Sequence, residues 1–519
     1  MNTNEFLYIA TAICPDREFI FFDDQKWTYA QFSQRVIRLA NALKGMGLAK
    51  GDRIAMLNVN CPQYVEAYFA AAKIGAVFVP LNFRAKSIEL AHMLKDAGAK
   101  IIMAGSRYLD MVRQFLPELS SVETCVALEA SSSGFLFYED LIARADATDT
   151  TIEIDDEDIT VLMYTAGTTG RPKGVPLRHS GFVSYVLENV APADPDIAER
   201  NLLTVPLYHV AGIQAMLAGV YGGRTLVLMR QFEAGEWLET VQEKKVSRAM
   251  LVPTMLKWVI DHPAFHAYDL SSLRIITYGA ASMPLNVIRR AIDLMPGVQF
   301  INAFGQTETA STIAVLGPED HLIQGSEAEK RKKLHRLAAS IGKPLPDVEI
   351  MIADEQGRGL PGGQIGEICA RGPRVMKGYW GEDQRRSQPI TAEGWLKTGD
   401  KGWMDAEGYI YLAGRGDDMI IRGGENISPE EVEDVLQSHP GIEEAAVIGI
   451  PDPEWGQEPR AVVVAKEGHD LDSQAVISYC QPRLAGYKRP RSVVFVDRLP
   501  RNPMGKVLKR ELREKYGQP

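Results

Sequence analysis

Apolar positions recur at helical spacing over residues 29–46, and a short run of β-type residues follows at 53–57. Another helical stretch precedes a second apolar run at 76–80, and the same alternation continues through 101–104 and 124–128. Helices alternating with short buried strands predict a layered α/β fold with a mainly parallel sheet. Past Gly362 the texture changes to short strands and glycine-rich turns, at 366–370 and 408–412, then Gly414-Arg-Gly-Asp. That stretch reads as a small β subdomain closing a large domain. After Asp417 a compact pattern begins, with a helix over 429–438, strands over 444–449 and 460–465, and a helix over 473–480. It predicts a separate α+β domain of about a hundred residues. The expected boundaries are therefore 1–416 and 417–519. The joint at 414–418 is short, glycine-flanked and polar, so it can absorb backbone rotation as a hinge, the alternative being a rigid turn. No repeat of fixed period is present, and the Ser-rich cluster at 131–134 reads as a loop.

A chain of 519 residues is too long for one ordinary core, which agrees with two domains. With 45% hydrophobic and 24% charged residues it has the composition of a globular protein, and a net charge of -10 leaves no overall basic field for nucleic acid or an anionic membrane. Five scattered cysteines without a C-x-x-C pair read as reduced, mostly buried thiols rather than a zinc site or disulfide frame. The first residues, Met-Asn-Thr-Asn-Glu, lack the features of a signal peptide. The most apolar stretches, 68–81 and 210–221, fall short of the roughly 20 residues a membrane span requires, and Lys73 interrupts the first. These features predict a cytoplasmic protein without an integral membrane segment, peripheral contact staying open.

The segment Tyr164-Thr-Ala-Gly-Thr-Thr-Gly-Arg-Pro-Lys173-Gly gathers glycines, hydroxyl side chains and one lysine. Backbone N–H groups, hydroxyls and an ammonium are what a polyphosphate needs from a loop. The spacing G-x-x-x-x-G-K-[ST] of the Walker loop is absent. By its chemistry alone the segment is either a phosphate cradle or a Gly/Thr surface loop.

Together with its flanks, the segment resembles the signature of the adenylate-forming superfamily: acyl-CoA and aryl-CoA synthetases, peptide-synthetase adenylation domains and luciferases. Further resemblances follow in that family's order: Asn302-Ala-Phe-Gly-Gln-Thr-Glu308, Lys397-Thr-Gly-Asp400, Gly414-Arg415-Gly-Asp-Asp-Met, Gly423-Gly-Glu-Asn-Ile and Pro500-Arg-Asn-Pro-Met-Gly-Lys506. They cover nearly the whole chain. The resemblance implies an acid:thiol ligase that uses ATP, Mg2+ and coenzyme A, passing through an acyl-adenylate.

It also implies roles for single residues. Thr165, Thr168, Thr169 and Lys173 would meet phosphates, as would Thr307, and Glu308 would hold Mg2+, a cation that favours oxygen ligands. Gly279 and Ala280 would let the base slide against backbone, with Phe304 as the opposing face and Asn302 near the exocyclic amine. The family usually has tyrosine where Phe304 stands. Asp400 would accept both ribose hydroxyls, assisted by Arg415. Lys506 would neutralise carboxylate and α-phosphate as charge develops. Asp417 matches the hinge position, and Gly424 the wall of the pantetheine tunnel. Pro206-Leu-Tyr208-His209-Val-Ala-Gly resembles the loop over the substrate carboxylate, so Tyr208 and His209 would shape the acid pocket.

Acetyl-CoA synthetases carry tryptophan where Gly305 stands, so glycine implies room for a larger acid. No acidic side chain lies near 206–217 to meet a substrate amine. The pocket is expected to be apolar and to take a medium-chain, alicyclic or aromatic acid. Two other readings stand beside this one: an acyl-AMP ligase serving a carrier protein, and a non-catalytic ATP or acyl-CoA binder. A homodimer is a further expectation.

Overall fold

A computed structural model describes residues 1–165, 172–381, 389–415, 418–422, 425–452, 455–469, 471–484, 486–502 and 506–518, with backbone alone at 414, 415, 421, 425 and 426. Thr168, Thr169, Asp417 and Gly424 lie outside the described residues, as does the side chain of Arg415.

Among the described residues the chain forms a thirteen-stranded and a seven-stranded sheet, followed by a separate five-stranded sheet after residue 419. The predicted α/β class is what forms, with a large first domain and a small second one. The central strands of the first two sheets pair in parallel and are buried on both faces, as at Ile101–Ala104 and Thr225–Leu228. Such strands read as continuous apolar runs because helices cover both sides. Helices such as Tyr29–Gly45 and Pro62–Lys73 supply that cover, and their buried residues belong to one core with the seven-stranded sheet.

The expected small β subdomain is hydrogen-bonded to the large sheet. Its strands Glu349–Ala353, Gly366–Arg371, Leu396–Met404 and Ile410–Arg415 form an antiparallel wing joined through Ser340–Pro344. The small domain keeps the predicted elements but lengthens its central hairpin to Ile442–Asp452 and Gly456–Ala465. Ladder pairing carries the strands past their apolar stretches into residues that sequence alone reads as loop.

The elements that position the candidate site are, in chain order, β1 (Ile159–Thr165), β2 (Lys173–Arg178), α1 (Val210–Tyr221), β3 (Ile275–Gly279), β4 (Gln299–Gln306), β5 (Ser311–Leu316), α2 (Pro318–His321), β6 (Leu396–Met404) and β7 (Ile410–Arg415). In the small domain α3 spans Pro429–Gln437 and β8 spans Ile442–Asp452. Among the described residues an ion pair crosses between the domains, from Lys257 to Glu443 at 2.6 Å. All five cysteines are buried and free. Among the described residues no helix is long and apolar enough to cross a membrane.

Candidate active site

The strands β1 and β2 pair antiparallel, setting Tyr164 opposite Gly174 and Thr165 opposite Lys173, so both ends of the Gly/Thr segment leave one rung of the ladder. A third segment clamps this hairpin. Trp380 donates its N–H to the Gly174 carbonyl at 2.8 Å and its ring N–H to the Asp96 carbonyl at 3.1 Å. Tyr164 donates to the Asp96 carboxylate at 2.6 Å. A Cβ at Gly174 would lie 2.9 Å from that of Trp380, so the close approach requires glycine.

The next residue along the clamp, Tyr379, joins two motifs far apart in sequence. The Lys173 ammonium sits 5.0 Å from its ring centroid, and its hydroxyl donates to the Glu308 carboxylate at 3.1 Å. Burial and the negative Glu308 both raise the Tyr379 pKa, so the phenol stays protonated and a donor. The Met376 N–H also donates to the Glu308 carbonyl at 2.9 Å. The predicted phosphate lysine and the predicted magnesium ligand thus meet at a tyrosine that sequence reasoning missed. Tyr379 lies between recognised motifs, and a lone aromatic there carries no signal of its own.

Glu308 stands on a strained turn between β4 and β5. A single 3-10 turn, Thr307–Thr309, is followed by Ala310 and Ser311 with φ of +47° and +89°. Left-handed backbone at two successive non-glycine residues is costly and persists only where surroundings enforce it. Here the Thr309 hydroxyl accepts from the Gln306 N–H at 3.1 Å and donates to the Ser311 carbonyl at 2.7 Å. The ladder shifts register between Phe304 and Gly305, and a Cβ at Gly305 would lie 1.8 Å from the Ser311 oxygen. The glycine therefore has a backbone cause of its own, independent of any room it leaves in a pocket.

At the ends of the parallel pair β3–β4, Tyr278 stands beside Asn302 and Gly279 beside Ala303. A Cβ at Gly279 would come within 2.2 Å of the Ala303 carbonyl, and Ala280 adopts φ +67° while staying exposed. Together they form a bare backbone ledge. Asn302 and Phe304 are half-buried, and Phe304 also packs against the cores containing Ala314 and Ile313. On the antiparallel wing Asp400, buried in β6, is the cross-strand partner of Arg415 in β7, and its N–H donates to the Thr398 hydroxyl at 3.1 Å. The two residues expected at one sugar are thus neighbours in the ladder.

His209 caps the start of α1, and the preceding loop is fixed by buried Asn60, which accepts from the Leu207 N–H at 2.8 Å. The Tyr208 and His209 rings lie tilted against each other with centroids 4.2 Å apart, and Phe83 meets Tyr208 edge-on at 5.3 Å. The His209 Nε2 and the Tyr208 hydroxyl are buried and lack hydrogen-bond partners among the described residues. Burial, helped by Arg84, pushes the His209 pKa down to about 3, so the imidazole is neutral at ordinary pH.

The backbone of Lys506 is bonded to Asn502 of the small domain. Its N–H donates to the Asn502 side chain at 2.9 Å, the Asn502 N–H donates to its carbonyl at 2.8 Å, and Arg501 bridges to Val507.

Comparison with known proteins agrees with this arrangement. Residues 10–380 match the family model described as AMP-binding enzyme, and residues 431–506 match the AMP-binding enzyme C-terminal domain. A feruloyl-CoA synthase of Amycolatopsis sp is 39% identical over 491 residues, covering 94% of each chain. An indoleacetate–CoA ligase of Aromatoleum aromaticum is 35% identical over 516 residues, covering 99% of this chain and 98% of that one. The crystal structure of the anthranilate CoA ligase AuaEII with anthranoyl-AMP superposes with a TM-score of 0.89 at 28% identity, covering 99% of this chain and 97% of the other. The chain belongs to the AMP-binding enzyme family, in its acyl-CoA and aryl-CoA synthetase branch. Its activity is that of an ATP-dependent, AMP-forming acid:CoA ligase.

Proposed function

We propose that the acid this ligase activates is aromatic, and that the side chains gathered around the β1–β2 hairpin, the Glu308 turn and Lys506 carry out its first half-reaction. The observation that carries the site reading is the meeting of Lys173, Tyr379 and Glu308 from three separate segments. One cation, one phenol and one carboxylate at the mouth of a Gly/Thr loop suit a polyphosphate with its counter-ion. The aromatic acid is supported by the names of the relatives, which act on ferulate, indoleacetate and anthranilate. It is supported as well by the rings of Phe83, Tyr208 and His209 packed together beside α1.

In this reading Thr165, Thr168, Thr169, Lys173 and Thr307 hold the phosphates. The ledge at Gly279 and Ala280, with Asn302 and Phe304, holds the base, and Asp400 with Arg415 holds the ribose. Glu308 offers the oxygen chemistry that Mg2+ takes, and Tyr379 orients that carboxylate. When bound, the cation would offset phosphate charge. Lys506 offsets the meeting of two anions as the carboxylate attacks the α-phosphate, leaving pyrophosphate and acyl-AMP. His209, being neutral, shapes the acid site without serving as a base. The second half-reaction needs a clear path for a thiol, so the domain after residue 416 turns about Asp417 and brings Gly424 to the tunnel.

A coupled AMP-release assay across a panel of acids, with and without CoA, tests the reading. Aromatic acids are expected to give CoA-dependent AMP release and the matching thioester. Preference for alkanoic acids would refute the aromatic assignment, and turnover that needs a carrier protein instead of CoA would refute the thiol acceptor.

A further inference from the structure

The ledge formed by Gly279 and Ala280 can meet a flat base only if the end of β3 is held in one place. Both edges of that strand lie in parallel ladders, with β4 on one side and with Arg248–Leu251 on the other, but the second ladder stops at Tyr278 and only β4 pairs with Gly279. Successive residues of a strand face opposite sides, so Tyr278 reaches behind the ledge. Its ring is 1% exposed, and its hydroxyl lies 2.9 Å from Nε2 of buried His321. His321 donates from Nδ1 to the Gly317 carbonyl at 2.7 Å, which leaves Nε2 as the acceptor for the tyrosine proton. The imidazole also stacks on Phe300 of β4, with centroids 6.3 Å apart.

The helix bearing His321 is only four residues long, too short to hold its own position. It is anchored by the preceding residue. Asp320 accepts from Arg336 at 2.9 Å and from the Tyr409 hydroxyl at 3.1 Å to each oxygen. Arg336 in turn lies 3.5 Å over the Tyr409 ring. Tyr409 immediately precedes β7, the strand that ends at Arg415. Two adjacent side chains with different partners thus connect the base ledge with the root of the ribose-bearing strand.

We propose that His321 is a positioning residue for the nucleotide: with Asp320 it makes α2 a strut that sets the base ledge against the antiparallel wing. This inference rests on the reading of Gly279, Ala280, Asp400 and Arg415 as the nucleotide site. Nothing in it requires His321 to touch the ligand or to titrate.

The test is ATP binding to the full chain, measured by calorimetry without acid, together with KM values for ATP, acid and CoA. Tyr278→Phe and His321→Phe each remove the bond. Each is expected to weaken ATP binding by about 3- to 10-fold, the size of one neutral hydrogen bond, with acid and CoA KM within about twofold. His321→Gln keeps an acceptor and is expected to recover much of the loss. Unchanged ATP binding in folded Phe variants would overturn the strut, and so would ATP, acid and CoA weakening in step, which is the mark of a general packing defect. A wild-type chain unable to bind ATP would instead remove the nucleotide-site reading itself.

Discussion

At the scale of single residues, Lys506 and Glu308 are each recognisable by motif yet depend on their surroundings in different ways. The Lys506 backbone exchanges two hydrogen bonds with Asn502, which fixes where the lysine leaves the small domain. Lys506→Ala is expected to slow acyl-adenylate formation by roughly 10²-fold or more, the scale of one lost transition-state contact. Conversion of supplied acyl-AMP and CoA should survive nearly intact. Equal loss in both half-reactions, each followed at single turnover, would mean the lysine does not belong to one step. Glu308 depends on Tyr379, whose hydroxyl holds the carboxylate. Tyr379→Phe is expected to raise the magnesium concentration needed for half-maximal pyrophosphate exchange by a few fold, as one hydrogen bond is lost. An unchanged magnesium titration would leave the tyrosine a packing role only.

At the scale of elements, the β4–β5 connection shows why a motif can be correct in place and incomplete in reason. Gly305 had suggested room for a large acid, but its missing side chain also permits the approach of the Ser311 carbonyl. Even Gly305→Ala is expected to cost about 1–3 kcal/mol of stability, because backbone must move to admit one methyl group. A tryptophan there cannot simply fill a cavity. If thermal unfolding of Gly305→Ala matched wild type while large acids were excluded, the glycine would serve the pocket alone. A second element-scale contact, Lys257 to Glu443, joins the helix Pro253–Ile260 to β8 across the domain boundary. Asp261 also pairs with Lys257, at 3.0 Å, and with Arg290 at 2.6 Å. Partly exposed pairs contribute little, about 0.2–1 kcal/mol. Glu443→Gln is therefore expected to shift the ratio of the two half-reaction rates by no more than about fivefold. Exchanging the charges in Lys257→Glu with Glu443→Lys should restore it. A ratio unmoved by the single variant, or a shift that the exchange leaves in place, would show that this contact does not bias the domains.

At the scale of the whole molecule, buried His179 and His321 and half-buried His209 give stability a pH dependence. Burial lowers His209 to about 3 and His179 to about 4, and lowers His321 as well. The Thr3 N–H donates to Nδ1 of His179 at 3.2 Å, an acceptor that protonation would remove. Because each folded pKa lies below its unfolded value near 6.5, the unfolded chain takes up protons first as pH falls. The histidine contribution to stability is then expected to decline from about pH 6.5 downward, by up to about 1.4 kcal/mol per pH unit for each fully neutral ring, while Asp434, which desolvation raises to about 8, acts in the opposite direction. Denaturant unfolding between pH 7 and 5 measures it, and His179→Asn should flatten the slope. A slope that His179→Asn leaves unchanged would mean that this ring gains protons in the folded state.

The sequence by itself determined the α/β class, the order of the two domains, and the motifs that name the chemistry, because local periodicity and short phosphate-binding patterns are written in neighbouring residues. It placed Asp400 and Arg415 at one sugar by resemblance, and the ladder later set them side by side. Only the tertiary structure decided what meets what across long separations. It brought Tyr379 between Lys173 and Glu308, tied Tyr278 to His321, and joined the expected small β subdomain to the large sheet as a wing. These contacts depend on strand register and on side chains from segments scores of residues apart. Neither leaves a periodic or compositional trace, so they become visible only once the chain is folded.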